Sequence, residues 1–553
     1  MPPKTKRRRA AVPPPPVTPP SRLPPLLLWI GAPLVIAALM AWYALRARAA
    51  AGEFGFPLDD SWIHVRFAQN LAAGKGFSFN PGQPAGLTTS PLWTLLLAAA
   101  YRLTHEYLFT AAVLNWALCS LLCVLVYYLA LTIHPSRWLA LTAAAAVAVT
   151  APLPWWALSG MEPPLYAGLA LLSILLHLRL RKARGLRALL PTVAMALATL
   201  ARPELLVLFP LALLDRLFVS GWIEREPRPL RAWLTRLVLH SLVFAALLAP
   251  QFLYNHVVTG YWLPTSFYSK VQPDFSQAQA TGNWLILVGS AFHELFAVLL
   301  MWAHNNLLLL VPFLLGLWLI MKQLRGPDRQ YVSVLLPLLV ILQPMSWAFA
   351  GGYRDPTYQS QRYMAHVDVL YLVIGVYGGW WVTQRVGALR TRSRQITCVA
   401  AVLLLSLALQ PEARNTYARN VKNTTDMQVA LGRWLRDNTP EDALLAVNDV
   451  GAIGVLAGRP VLDLQGLVTP EALAVRAERR RQVAASPLPP TAMVSFIRSR
   501  RADYVVIFPN WYGEFRYFSQ LFTPVYDVGL DDNITCGAAE MTVYRTAWAR
   551  HGP

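Results

Sequence analysis

Charge is scarce in this chain. Asp, Glu, Lys and Arg make up 14% of its 553 residues, against roughly 25% in ordinary soluble domains. Acid is scarcer than base, with 29 Asp and Glu against 49 Lys and Arg, a formal charge of +20. Cysteine is scarcer still. Cys119, Cys123 and Cys398 sit in apolar runs and Cys536 stands alone near the end, which excludes a disulfide framework and any cysteine metal spacing. GxSxG, HExxH and CxxC are absent, which excludes those hydrolase and zinc templates. His293, Glu294 and His304 lack the fixed spacing of a zinc site. No internal repeat is visible.

What is abundant is apolar. Hydrophobic residues make up 55% of the chain, more than a soluble core of this size needs, so the fold class is a polytopic α-helical membrane protein. Lys and Arg cluster between the apolar runs, which fits the positive-inside rule and not a nucleic-acid face. Residues 1–24, Lys/Arg-rich and then Pro-rich, read as a disordered cytoplasmic tail. Residues 25–45 form an apolar run too long for a signal-peptide core and read as an uncleaved first span. Further spans are expected near 108–132, 138–152, 164–180, 188–201, 204–219, 237–256, 303–321, 331–350, 364–384 and 395–410, about eleven in all.

Charge tests that count. The clusters Arg179/Arg181/Lys182/Arg184/Arg187, Arg225/Arg228/Arg231/Arg236, Lys322/Arg325/Arg329 and Arg385/Arg390/Arg392/Arg394 all fall on the cytoplasmic side if the stretches 91–103 and 283–300 do not cross. Those two read as interfacial or re-entrant helices. The outward pieces are then 46–107, 153–163, 257–302 and everything after 410. Residues 25–410 form the membrane domain, and 411–553 a small extracytoplasmic α/β domain. In the latter, Thr425–Asp437 reads as a helix, and Ala443–Val447, Pro460–Leu464 and Tyr504–Phe508 as short buried strands.

The first outward loop carries Asp59-Asp60-Ser61-Trp62-Ile63-His64-Val65-Arg66. A carboxylate at mid-bilayer costs roughly 3 kcal/mol on the insertion scale, so this pair belongs at the membrane edge. Adjacent carboxylates raise the pKa of one of them, which suits a general base or a divalent-cation site. An Asp before a helical run is also an ordinary N-cap, and on the residues alone both readings stand. Gly74-Lys75-Gly76 lacks the spacing of a phosphate loop, although Lys75 and Arg66 offer positive charge to an anion. Polar groups recur at three other outward places: Ser159-Gly160-Met161-Glu162-Pro163; Arg202-Pro203-Glu204; and Arg354-Asp355 through Gln361-Arg362-Tyr363, with His366 beyond. Ionisable groups at span ends are functional candidates, while local pairing of Arg202 with Glu204 is the simpler account of those two.

Taken in order, Asp59-Asp60-Ser61-Trp62-Ile63, Arg66-Phe67-Ala68-Gln69-Asn70, Gly74-Lys75-Gly76, Asn80-Pro81-Gly82, Thr88-Thr89-Ser90-Pro91-Leu92-Trp93, Ser159-Gly160-Met161-Glu162, Arg202-Pro203-Glu204 and Gln361-Arg362-Tyr363 resemble the GT-C class of membrane glycosyltransferases. The resemblance is to bacterial arabinofuranosyltransferases and protein mannosyltransferase-like enzymes. Asn448-Asp449-Val450-Gly451 and Asp463-Leu464-Gln465-Gly466 resemble the soluble end of such proteins. His64, Thr88-Thr89 and Pro163 depart from the usual pattern, which bears on the identity of the sugar.

The resemblance implies a hexosyl- or pentosyltransferase of the bacterial plasma membrane and cell envelope. Such an enzyme takes a polyprenyl-phosphate sugar donor and a glycan, lipid or protein acceptor outside the cytoplasm. It implies Asp59 as general base and Asp60 as the group that orients the acceptor or tunes its neighbour. It implies Arg202, Arg362, Lys270, Glu204 and Tyr363 around the donor phosphate and sugar, Glu162 on a sugar hydroxyl, and His64, Arg66 and Lys75 on the acceptor side. No cofactor is required by it; a divalent cation at Asp59/Asp60 is compatible with it. Inversion at the anomeric carbon follows by analogy. Two other functions fit the composition: a flippase of lipid-linked sugars, and a membrane scaffold whose tail is a binding module.

Overall fold

A computed structural model describes residues 26–219, 230–270, 277–279, 281–324, 333–350 and 358–550. The basic tail 1–24 and the expectations for Arg225, Arg228, Arg325, Arg329, Arg354 and Asp355 lie outside the described residues.

The chain is a multi-pass membrane protein. Among the described residues six helices are long and apolar enough to cross a bilayer: Leu28–Ala51, Tyr107–Ile133, Trp233–Thr259, Leu285–Asn305, Ala365–Arg385 and Arg392–Asn438. Arg137–Ala148 and Pro152–Leu158 join them as a pair bent by 60°, a break that Pro152 and Pro154 account for. Pro163–Arg179, Gly185–Ala201, Leu307–Gln323 and Leu335–Phe349 are shorter apolar helices, below the ~20 residues of a standard span. The count of eleven is therefore not established. Residues expected to span at 204–219 form a five-residue 3-10 turn and an 11-residue helix, Leu208–Phe218, about half the hydrocarbon thickness at 1.5 Å per residue.

The helix Leu285–Asn305 differs from the interfacial reading of 283–300, because by length and composition it is one of the six. Charge parity sets it aside on the basic clusters alone; Glu294, inside it, is buried. Pro91–Thr104 is a 14-residue helix packed on Asp60–Ala72, too short to cross, as expected.

The helices Arg392–Ala408, Gln410–Thr424 and Ala430–Asn438 follow one another as a single 47-residue helical stretch, Arg392–Asn438, about 70 Å at helical rise. It carries the chain from the apolar bundle directly into the tail, through a π-helical turn at Thr425–Val429. The expected tail boundary at 410 falls inside this helix, and the expected helix Thr425–Asp437 is its final stretch. The tail's sheet has strands β1 (Leu445–Val447), β2 (Val461–Asp463), β3 (Tyr504–Ile507), β4 (Phe522–Gly529) and β5 (Glu540–Thr546) in the order β2-β1-β3-β5-β4. β1 pairs parallel with β2 and β3, and β5 pairs antiparallel with β3 and β4.

Alternation along β3 sends Val505 and Ile507 to one face with Leu462 and Ile497, and Val506 to the other with Val447 and Ile453. That second face also buries Phe67, Phe79 and Ala85 of the first outward loop. Tail and loop thus share one core. Asn80 extends the join by exchanging two hydrogen bonds with the backbone of Val461, at 2.8 and 2.9 Å.

Candidate active site

Asp59 precedes the helix Asp60–Ala72, but its side chain makes no capping bond to that helix. The ordinary N-cap reading fails on its own helix. Its two oxygens instead accept the backbone N–H groups of Gly451 (2.8 Å) and Ala452 (2.7 Å), at the start of the tail helix Gly451–Ala457. Orphan N–H groups of a helix start are thereby satisfied by a carboxylate from another part of the chain.

The approach demands glycine. A Cβ on Gly451 would collide with the carbonyl oxygen and carboxylate of Asp59. Gly451→Ala is therefore expected to loosen the tail from the loop, lowering the melting temperature and exposing the 440–460 region to protease. An unchanged melt and digestion pattern would contradict the docking role.

Asp60, one residue on, faces the other way. Its Oδ2 lies 2.7 Å from Arg362 Nη2 and 3.5 Å from Lys270 Nζ, with the carboxylate side chain 30% exposed. Burial pushes Asp60 upward, but Lys270 and Arg362 outweigh it and hold the carboxyl below the usual range. Asp59 moves oppositely. Burial raises its pKa well above the carboxylate range, Asp449 and Asp60 add to the rise, and the Ala452 and Gly451 N–H groups only partly offset it.

Around this pair the remaining outward motifs converge. Arg362 is buried; it donates to the Tyr363 hydroxyl at 2.8 Å and meets the Met161 sulfur at 2.7 Å. Arg202 is buried between Glu162, at 2.5 Å, and Glu204, at 2.6 Å. Local pairing of Arg202 with Glu204 thus exists, and Glu162 is added to it. Both guanidinium groups lie over the Tyr363 ring, Arg202 at 4.9 Å and Arg362 at 4.7 Å from its centroid, a cation–π arrangement that ties both cations to one ring. His64 Nε2 lies 3.5 Å from Glu162, and its Nδ1 lies 3.1 Å from the Thr94 hydroxyl. Burial depresses the His64 pKa, against the pull of Glu162 and Asp60. Burial also raises Glu162, yet Arg202, His64 and Arg362 leave it below the ordinary range.

The backbone that delivers Arg362 is unusual. Gln359, Ser360 and Gln361 have φ of 55°, 56° and 57°, left-handed values that non-glycine residues seldom adopt. Trp156 Nε1 donates to the Ser360 carbonyl and the Tyr166 hydroxyl to the Arg362 carbonyl, at 2.7 and 2.6 Å. Such over-determined strain is characteristic of functional sites.

Two cavities meet at the Asp60–Arg362 pair. The larger, about 360 Å³, is lined by Asp60, His64, Arg202, Glu204, Lys270, Arg362 and Tyr363 at its polar end and by Leu206, Leu263, Phe267, Trp347 and Leu467 elsewhere. The smaller, about 120 Å³, mixes polar and apolar walls; Asp59, Asp60, Lys270 and Arg362 form one side, and Gln428, Asn448, Asp449, Gln465 and Trp511 of the helix end and tail form the other.

The structure thus gathers Asp59, Asp60, His64, Glu162, Arg202, Glu204, Lys270, Arg362 and Tyr363. It does not gather Arg66, whose Nε donates to the Phe79 carbonyl at 3.1 Å, nor Lys75, which is exposed and lines neither cavity. His366 packs edge-on to Tyr166, away from both cavities. Among the described residues no group of three or more His, Cys, Asp or Glu side chains is placed to hold a metal ion.

Sequence reasoning assigned no role to Asp449, Gln428 or Trp511. A signal for Asp449 existed: it follows β1, which pairs with β2 on one side and β3 on the other. The C-terminal end of a parallel strand at such a reversal is where α/β sheets place ligand-binding groups.

Comparison with known proteins adds the fold. The family model described as Domain of unknown function (DUF8728) matches residues 416–544. No curated protein sequence matches the chain. Among solved structures, the Archaeoglobus fulgidus oligosaccharyltransferase in the apo form is similar over 87% of this chain and 69% of its own, with a TM-score of 0.55 and 13% identity. ArnT from Cupriavidus metallidurans in the apo state is similar over 94% of this chain and 99% of its own, with a TM-score of 0.53 and 13% identity. ArnT bound to undecaprenyl phosphate gives 96%, 100%, 0.50 and 13%. At such identities the likeness is one of architecture, and the architecture is the GT-C fold that the motifs resemble.

Proposed function

We propose that this chain is a GT-C glycosyltransferase that moves a sugar from a polyprenyl-phosphate donor to an acceptor hydroxyl outside the cytoplasm. The observation that carries the proposal is the division of the aspartate pair. Asp59 lines only the smaller cavity built with the tail, while Asp60 lines both and faces the cations at the head of the largely apolar one. An apolar cleft ending in Arg362, Lys270 and Arg202 suits a lipid phosphate. ArnT, a protein of this architecture, has been solved with undecaprenyl phosphate bound.

In the proposed reaction Asp59 takes the proton of the acceptor hydroxyl, and the oxygen attacks the anomeric carbon. The bond from that carbon to the phosphate oxygen breaks, and polyprenyl phosphate leaves carrying the negative charge. A pair of carboxyls whose environments push their pKa values apart assigns its own roles. The raised Asp59 is the stronger base, and the lowered Asp60 stays ionised and holds the cations in place. Donor phosphate then competes with Asp60 for Arg362 and Lys270, which stabilise the leaving group. Glu162, fixed by Arg202, together with His64, Glu204 and Tyr363, surrounds the sugar. In this reading the N-terminus is cytoplasmic and the tail lies outside, in a bacterial plasma membrane.

Purified chain incubated with a panel of polyprenyl-phosphate sugars, with and without chelator, tests this reading. Release of polyprenyl phosphate with one donor is expected, and the chelator arm shows whether a divalent ion takes part. The pH profile adds a sharper check. The base acts deprotonated, so the rate rises with pH through the Asp59 pKa. Asp449 raises that pKa, so Asp449→Asn is expected to move the acidic limb to lower pH. A limb that stays in place would contradict the pairing of these two carboxylates.

A further inference from the structure

A third cavity, about 780 Å³, lies between the helices Leu26–Ala51, Arg137–Ala148, Ala365–Arg385 and Arg392–Ala408. It goes beyond the transfer reaction and does not depend on it. The walls are mostly apolar, with Leu28, Val35, Trp138, Ala145 and Val399 among them, and Gln384, Arg390, Arg392 and Gln395 form the polar end. No carboxylate lines it among the described residues.

The two arginines have no acidic partner there. Arg392 lies over the Trp138 ring, 5.2 Å from its centroid, and Arg390 donates its Nε to the Gln384 carbonyl at 2.9 Å. Among the described residues neither forms an ion pair, in contrast to Arg362 and Arg202, which are matched by carboxylates. The polar end also opens on the start of the 17-residue helix Arg392–Ala408, whose first N–H groups and dipole favour an anion.

Position narrows the ligand. Helix Ala365–Arg385 begins three residues after Arg362 and ends near Arg390. Its 21 residues span about 30 Å, the thickness of the hydrocarbon core. The arginines therefore stand at headgroup level in the leaflet opposite the aspartate pair. An apolar cavity within the bilayer with a paired-cation mouth excludes a water-soluble metabolite, and basic pockets between helices at headgroup level suit acidic lipid. Polyprenyl phosphate used at the candidate site would be presented about 30 Å away, at the other leaflet.

We propose that this cavity is a binding site for an anionic phospholipid, with the phosphodiester on Arg390 and Arg392 and acyl chain in the apolar cleft beside Trp138. Native mass spectrometry of the full chain, offered equimolar phosphatidylglycerol, phosphatidylcholine and undecaprenyl phosphate, tests it. Phosphatidylglycerol is expected to be retained in preference to both. Replacing Arg390 and Arg392 together by Ala is expected to weaken its binding roughly 30-fold, from about fivefold per arginine near a lipid surface. Ala145→Trp, which fills the cleft and keeps both charges, is expected to reduce retention as well. Equal retention of phosphatidylcholine, preference for undecaprenyl phosphate, or undiminished phosphatidylglycerol binding in the double variant would each overturn the proposal.

Discussion

Asp59→Asn is expected to lower the rate of sugar transfer about 10³-fold while the protein still inserts and melts cooperatively. Removing a general base typically costs 10²–10⁴-fold. The amide is nearly isosteric, and its oxygen can still accept one of the two N–H bonds from Gly451 and Ala452. Its NH₂ must face the other donor, so some loss of docking accompanies the loss of the base. Gly451→Ala separates the two effects, because it disturbs docking and leaves the carboxylate intact. If Asp59→Asn slows transfer far more than Gly451→Ala at equal loss of melting temperature, the carboxylate acts in the chemistry. If the two variants track each other, Asp59 is a docking pin. Turnover within tenfold of wild type in Asp59→Asn would remove it as the base altogether.

Arg362→Ala is the second large effect. Arg362 is the nearest cation to Asp60, at 2.7 Å, and Lys270 stands at 3.5 Å. In the proposed reaction it meets the charge that develops on the departing phosphate, and loss of one such donor costs about 10²–10³-fold in kcat. The donor KM is expected to rise and the acceptor KM to change little. Arg362→Lys keeps the charge but loses the forked geometry that phosphate prefers, so partial recovery is expected. Equal weakening toward donor and acceptor would place Arg362 at a shared structural junction. Its contacts to Met161 and Tyr363 make that a real alternative outcome.

Much of this was legible along the chain. The short strands of the tail followed from apolar runs bounded by turns. Helix termination after Asn438 also matched. Contacts across large sequence separations did not show. The N–H groups that engage Asp59 lie 392 and 393 positions later, and nothing local marks them except the small residue at Gly451.

The expected span 395–410 stops short of Pro411, yet a proline in the first turn of a helical segment gives up no bond it would otherwise make, and the helical stretch runs on to Asn438. The left-handed turn at Gln359–Gln361 carries no glycine to announce it. Charge counting set aside 283–300 because a span there alone would put later basic clusters outside, yet the helix Leu285–Asn305 is long and apolar enough to cross. Arg66 was expected to offer a plain positive charge to an anion; on the helix Asp60–Ala72 it instead reaches the backbone of its own loop.

The central claim is chemical transfer and not translocation, and one measurement separates them. The chain is reconstituted in sealed proteoliposomes with a polyprenyl-phosphate sugar labelled in both sugar and phosphate, and acceptor is supplied on the side that carries the tail. Transfer predicts that sugar label passes to acceptor as free polyprenyl phosphate forms in equal amount, and that both products vanish with Asp59→Asn. Movement of intact, doubly labelled donor to the other leaflet without loss of sugar, unaffected by Asp59→Asn, would contradict the account and mark the chain as a flippase.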